Sequence, residues 1–274
     1  MRKVVFAALF AATGCVASDG GADDDGDGVA NIDDFCPGTP GGAAVDIDGC
    51  SFRPAPGLIT ANWSFKQLST GGNLACPTGF NTTAVHVTPV NRFGDKTGTE
   101  IIDLYNCSAM SGTADYDARL YSVFLEITTQ TNSAKYADTP SAFVDITNVD
   151  KSITQTIIDD GGFFVFDFSL RDANGGAQLS CAEAGAGGGV EIVSTLNGTS
   201  SAKTDIFDCV TPGFRDDGKG YATTAGLIAG DYTVSVAALN NADQSVGTAP
   251  ALTNKRISAP NKLTDLGSIQ IPID

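Results

Sequence analysis

The sequence predicts an all-β protein, with two tandem β-sandwich domains behind a small irregular acidic module. Three observations predict it. Apolar and polar residues alternate in short runs through most of the chain, the period of a half-buried strand. The acidic residues are 28 Asp and only 4 Glu, and Asp favours turns and N-caps over helix interiors. The second half also repeats the first at a spacing of about 105 residues, the size of one sandwich domain. Of 274 residues, 42% are hydrophobic, and the formal charge is −16. That composition supports a packed core. It argues against nucleic acid as a partner, because phosphate contacts need a basic face and no Lys/Arg cluster follows residue 4.

In chain order, Arg2 and Lys3 precede an apolar run from Val4 to Ala12 and the small residues Thr13-Gly14-Cys15. This is the layout of a secretory signal. The run falls short of the roughly 20 apolar residues that span a bilayer as a helix. Ala12-Thr13-Gly14-Cys15 resembles the bacterial lipobox, departing from it at Ala12, where Leu is more usual. The resemblance implies that 1–14 is removed and Cys15 is acylated, with membrane attachment through the lipid. Several acyl chains on one Cys anchor stably. Val16 in place of Asp implies the outer membrane, and 15–22 is then a tether. Once extended, residues 16–22 reach no further than about 25 Å.

Without Cys15 six cysteines remain, falling in sequence order as 36/50, 76/107 and 181/209. No two stand closer than 14 positions, so no Cys-x-x-Cys metal or redox motif exists. In an exported chain disulfides are the default.

Between Val4 and Phe52 there are nine Asp and no Lys or Arg. Asp23, Asp25, Asp27, Gly28, Val29, Asn31 and Asp34 spell D-x-D-x-D-G-V-x-N-x-x-D. The first half matches the EF-hand loop, in which oxygens at positions 1, 3 and 5 converge on one cation, Gly takes the sharp turn, and position 7 offers a carbonyl. Asn31 and Asp34 stand at positions 9 and 12. Asp34 departs from the usual Glu, and Gly and Pro crowd the flanks where EF-hand helices would lie. The continuation Cys36-Pro37-Gly38-Thr39-Pro40-Gly41, then Val45-Asp46-Ile47-Asp48-Gly49-Cys50, resembles the thrombospondin type 3 repeat of bacterial envelope proteins. The resemblance covers about 30 residues and implies that 23–52 is a small irregular calcium-binding repeat. It implies Ca2+ as cofactor, Asp23, Asp25, Asp27, Val29, Asn31 and Asp34 as ligands, and a Cys36–Cys50 disulfide. Asp46 and Asp48 are weaker candidates. Without cation the clustered carboxylates repel and the segment is flexible; with cation it becomes a stiff spacer.

Arg53-Pro54-Ala55-Pro56 reads as a linker. Strands are then expected at Leu58 to Phe65, Ala84 to Pro89, Ile101 to Tyr105, Leu120 to Thr128 and Ser141 to Ile146 in a first sandwich over 57–158. Phe164 to Leu170, Val190 to Thr195, Lys203 to Asp208, Tyr232 to Leu239 and Ser268 to Ile273 follow in a second over 159–274. No stretch reads as a helix. Trp63 through Cys76 aligns without gaps to Phe168 through Cys181, an offset of 105. Asp103 to Cys107 aligns to Asp205 to Cys209 at an offset of 102, and Tyr121-Ser-Val to Tyr232-Thr-Val at 111. Leu227-Ile-Ala-Gly230-Asp-Tyr232 resembles the last hairpin of transthyretin-like sandwiches, which implies a prealbumin-like or Ig-like architecture.

Within the body, Trp63 shares a face with Ala61 and Phe65 and is expected in the core. His86, the only His, alternates with Val85 and Val87 and is expected on the solvent face. A multi-His zinc site is excluded, and a Ser-His-Asp site could use only His86. No catalytic residue is assigned, and no enzyme activity is expected. Asp159-Asp160-Gly161-Gly162 and Asp216-Asp217 are expected in turns. The sequons at Asn62, Asn81, Asn106 and Asn197 are expected to stay unglycosylated in a bacterial lipoprotein. The reading is a lipid-anchored envelope protein that displays two sandwiches in a structural, adhesion or interaction role, with a protein or glycan partner on the sandwich loops. The alternative is a carbohydrate- or cell-wall-binding accessory lipoprotein.

Overall fold

The computed structural model describes residues 22–32, 34, 36–39, 41, 45, 49–51, 56–91, 94–130, 134–209 and 222–273. The signal 1–14, Cys15, most of the tether, Asp46, Asp48, the linker 53–55 and Asp216-Asp217 lie outside them. The chain forms two compact units, residues 1–52 and 53–274. Among the described residues no helix is long and apolar enough to cross a membrane.

The larger unit is all-β. Its first half runs β1 (Gly57–Gln67), β2 (Gly72–Leu74), β3 (Thr82–Pro89), β4 (Ile101–Asn106), β5 (Ser111–Tyr116), β6 (Leu120–Thr128), β7 (Lys135–Asp138), β8 (Ala142–Asp145) and β9 (Lys151–Ile158). The second runs β10 (Gly161–Asp172), β11 (Gln178–Leu179), β12 (Gly189–Leu196), β13 (Ala202–Phe207), β14 (Ala222–Thr223), β15 (Leu227–Ile228), β16 (Gly230–Leu239), β17 (Ser245–Thr248), β18 (Leu252–Ile257) and β19 (Lys262–Ile273). One 3-10 turn, Cys107–Ala109, is the only helical element among the described residues.

The two halves share one pairing scheme. In the first, β1 runs parallel to β9 and antiparallel to β2 and β5, while β3 and β6 form the centre of a second sheet edged by β4, β7 and β8. In the second, β10 runs parallel to β19 and antiparallel to β11, β14 and β15, while β12 and β16 are edged by β13, β17 and β18. A single pair, Gly247 with Ile273, joins the second half's two layers into one ten-stranded sheet. The registers repeat as well. Phe65 pairs with Leu74 and Leu170 with Leu179, the offset of 105 carried by both partners. Tyr121 pairs with Pro89 and Tyr232 with Leu196. Both tyrosines donate their hydroxyl to a carbonyl four residues upstream, Asp117 and Ile228, at 2.9 Å. The first half therefore has the same tyrosine corner although it lacks the Gly-x-Tyr sequence.

Each half has its own core. Ile59, Ala61, Trp63 and Phe65 on β1 meet Val85, Val87, Val123, Leu125 and Ile127 of the facing sheet. Phe164, Phe166 and Leu170 on β10 meet Ile192, Val234 and Val236, with Ile269 and Ile271 from β19. Full burial of each such side chain stabilises by about 1.5–3 kcal/mol. The Trp63 indole N–H donates to the Cys107 carbonyl at 2.8 Å, so its burial leaves no polar atom unpaired. Cys76–Cys107 and Cys181–Cys209 occupy equivalent places, each tying the segment after the short second strand to the end of an edge strand. With sequence separations of 31 and 28, each disulfide stabilises by roughly 3–4 kcal/mol in the chain-entropy account.

Candidate metal centre

The acidic loop is wound by its own carboxylates. Asp23 accepts from the amides of Gly26 and Gly28, both at 2.9 Å. Asp25 accepts from Asp27 N at 3.3 Å, and Asp27 Oδ1 from Val29 N at 2.8 Å. Gly28, at φ +97°, takes the left-handed turn that a Cβ would oppose. Asn31 closes the loop: its side-chain oxygen accepts from Asp24 N at 2.9 Å, and its own amide donates to the Ala22 carbonyl at 2.8 Å.

One oxygen from each of Asp23, Asp25 and Asp27 lies within 4.8 Å of the other two. Like charges at such a distance repel by about 1 kcal/mol per pair even in water. No Lys or Arg stands between Val4 and Phe52 to offset this. Asp27 Oδ2 is buried and has no hydrogen-bond partner. Asp34 Oδ1 accepts from Cys36 N at 2.8 Å. A Cβ on Gly49 would stand 2.2 Å from Asp34 Oδ1 and 3.2 Å from Asp27 Oδ2, so these two carboxylates meet over a bare Cα. A cleft of about 450 Å³ is lined by Asp24, Asp25, Asn31, Asp34, Pro37 and Gly38.

The structure thus gathers Asp23, Asp25 and Asp27, while Asp34 lies outside that group and shares only the border of Gly49 with Asp27. Asn31 and Val29 act in the described geometry as loop clasps, Val29 through its amide. Three further residues complete the frame. Gly38 N donates to Asp25 Oδ2 at 2.7 Å and holds the Asp25 carboxyl below the ordinary range, against partial burial. Thr39 Oγ1 lies 2.9 Å from the Gly49 carbonyl, and Gly49 precedes the Cys36–Cys50 disulfide. The Gly after Pro37 and the Gly before Cys50 were the sequence signals for these roles. The donor set is all hard oxygen, which suits a divalent cation such as Ca2+. A buried carboxylate oxygen without a partner has the character of a ligand atom.

His86 is a correction to the sequence reading. It does point away from Val85 and Val87, but it is only 6% exposed. Its ring stacks on Phe124 at 4.3 Å. Nδ1 lies 3.0 Å from Glu100 Oε1 and Nε2 3.2 Å from Glu126 Oε2, the latter out of line for a hydrogen bond and so a charge contact. Lys135 pairs with Glu126 and, at 3.4 Å, with Asp138. The outer face of β3 is therefore covered at His86 by neighbouring side chains, which alternation along one strand cannot show. Burial opposes the imidazolium, but Glu126 and Glu100 outweigh it and raise the His86 pKa above 6.5. His86 in turn lowers Glu126 to about 2, against burial and with help from Lys135. A raised His pKa contributes stability that is full below 6.5 and is lost as pH rises through the folded value. Glu126 contributes above its ordinary 4.5 and loses this as pH falls towards about 2. Because His86 is the only His, the urea midpoint is expected to fall as pH rises above 6.5 in the native protein and to fall less over the same range in His86→Gln.

No family model matches the chain, and no curated protein matches it. Among solved structures it is similar to a leucine-rich repeat protein from Bacteroides thetaiotaomicron, with 14% identity and a TM-score of 0.35, covering 80% of this chain and 26% of that one. It is similar to GBS52, the minor pilin of Streptococcus agalactiae, with 14% identity and a TM-score of 0.27 over 80% of this chain and 97% of that one. The fimbrial anchor protein Mfa2 from Porphyromonas gingivalis gives 12% identity and 0.26 over 72% and 82%.

Proposed function

We propose that the protein is a lipid-anchored cell-envelope display protein. Cys15 carries the lipid, residues 23–52 bind Ca2+ and serve as a stiff spacer, and the β body engages a protein or glycan partner in a non-catalytic role. The observation that carries the calcium reading is the convergence of Asp23, Asp25 and Asp27, with the buried, unpartnered Oδ2 of Asp27 beside Asp34. A bound divalent cation supplies the positive charge that those oxygens lack. The chain's own residues then do the rest: Gly26, Gly28 and Val29 amides aim the carboxylates, and the Cys36–Cys50 disulfide closes the far side. The non-catalytic reading is supported by His86, whose two ring nitrogens both face carboxylates and whose ring is buried.

Limited proteolysis with and without EDTA, followed by mass spectrometry, tests this function. EDTA is expected to open cleavage within 23–52 while leaving 57–274 resistant, Asp25→Ala is expected to be cleaved in both conditions, and intact mass is expected to show acyl groups on Cys15. Identical digestion with and without Ca2+ would remove the calcium spacer from the account, and an unacylated mature terminus would remove the anchor.

A further inference from the structure

A second cleft, of about 410 Å³, opens in the first half of the β body and is lined by Asn81, Thr82, Leu104, Tyr105, Asn106 and Gln130. We propose that it is a binding site for a neutral saccharide. Three side-chain amides and a threonine hydroxyl meet there beside an apolar residue, Leu104, that is 56% exposed. Amides both donate and accept, which matches the adjacent hydroxyls of a sugar ring, and Leu104 offers a surface for the ring's C–H face. Among the described residues no Asp, Glu, Lys or Arg lines the cleft, and the chain carries −16 overall, so an anionic ligand is disfavoured.

The site is built on fixed elements. Asn106 stands opposite Thr82 in the β3–β4 pair. Its side-chain oxygen is held by Ser108 N at 3.0 Å and Ser108 Oγ at 2.8 Å, which leaves its NH2 group for a ligand. The Asn81 carbonyl accepts from Cys107 N at 2.9 Å, and Cys107 is bonded to Cys76. Among the described residues the Gln130 side chain has no hydrogen-bond partner in the protein. The Asn106 amide, held in this way, loses little freedom on binding.

The duplication places different residues at the matching positions of the second half. The registers put Gly188 and Gly189 where the first half has Asn81 and Thr82, and Ile206 where it has Leu104. A Cβ on Gly188 would stand 2.1 Å from the Asn240 carbonyl, and one on Gly189 2.3 Å from the Phe207 carbonyl. Backbone carbonyls of Asn240 and Phe207 thus crowd the positions in the second half that carry Asn81 and Thr82 in the first.

This inference rests on the reading of the body as a binding module and is independent of the calcium module. The full acylated or soluble chain is screened on an array of neutral oligosaccharides (glucans, mannans, xylans and N-acetylglucosamine oligomers) beside uronic-acid oligomers and a peptide library. Binding to at least one neutral class is expected. Gln130→Ala and Leu104→Asp are each expected to weaken it about tenfold or more, the equivalent of a single lost contact of about 1.4 kcal/mol, with the thermal midpoint unchanged. Ile206→Asp, at the matching place in the second half, is expected to leave binding intact. Absence of any saccharide binding at millimolar concentration, binding that survives both cleft variants, or binding to peptides or uronic acids alone would overturn the proposal. A calcium response that persists in those cases leaves the spacer reading standing.

Discussion

Asn261→Ala is expected to lower the stability of the β body by about 2–6 kcal/mol and to let its two halves unfold separately. Asn261 is fully buried between the halves. Its side-chain oxygen accepts from Ile158 N at 2.7 Å, its NH2 donates to the Asp138 carbonyl, and its own amide donates to the Ile158 carbonyl at 2.8 Å. Alanine keeps the last bond and strands a donor and an acceptor, each at a cost of about 1–3 kcal/mol. The residue also sits at φ +45°, a region that Asn tolerates better than Ala. Trp63, the only Trp, lies in the first core. Urea transitions followed by its fluorescence and by far-UV circular dichroism are expected to coincide in the native protein and to separate in the variant. Coincident transitions with a midpoint close to native would show that Asn261 is not the clasp.

Gly49→Ala is expected to abolish the calcium response of the acidic module. Gly49 sits at φ +76°, and its Cβ would fall 2.2 Å from Asp34 Oδ1 and 2.9 Å from its Cγ. Asp34 is tied to the Cys36 amide and cannot retreat without breaking that bond. Gly26→Ala is the matching control: its φ is +74°, but nothing lies within 4 Å of the added Cβ. It carries only the left-handed backbone cost of about 1–2 kcal/mol. Calcium-dependent protection from protease should therefore be lost in Gly49→Ala and retained in Gly26→Ala. Retention in both would mean that Asp34 and Asp27 do not act together over Gly49.

The strands with a buried face were legible in the sequence. Trp63 and Phe65, or Phe164 and Phe166, alternate because one side of β1 and β10 packs on a core. The duplication was legible because the same core positions recur with the same cysteines. The strands at Ser111–Tyr116, Lys151–Ile158 and Leu252–Ile257 were not. Thr, Ser, Asn and Lys occupy many of their positions, and burial is confined to a few residues such as Tyr116, Ile157 and Ile257, so alternation is weak along them. The burial of His86 was hidden for a related reason. Its cover comes from Glu100, Phe124 and Glu126, all supplied by other segments. In the acidic loop the Asp spacing was visible, but the closing contacts from Gly38 and Gly49 join residues more than ten positions apart. The amide-lined cleft was invisible, because Asn81, Asn106 and Gln130 meet only through strand pairing.

Asp23, Asp25 and Asp27, with Asp34 near by, are proposed to hold one calcium ion. Isothermal titration of Ca2+ into the metal-free native chain tests it most directly. Saturable binding is expected in the native chain and none in Asp27→Ala, where the buried, unpartnered oxygen is removed. Binding of equal affinity in Asp27→Ala, or no heat of binding in the native chain at millimolar Ca2+, would contradict it.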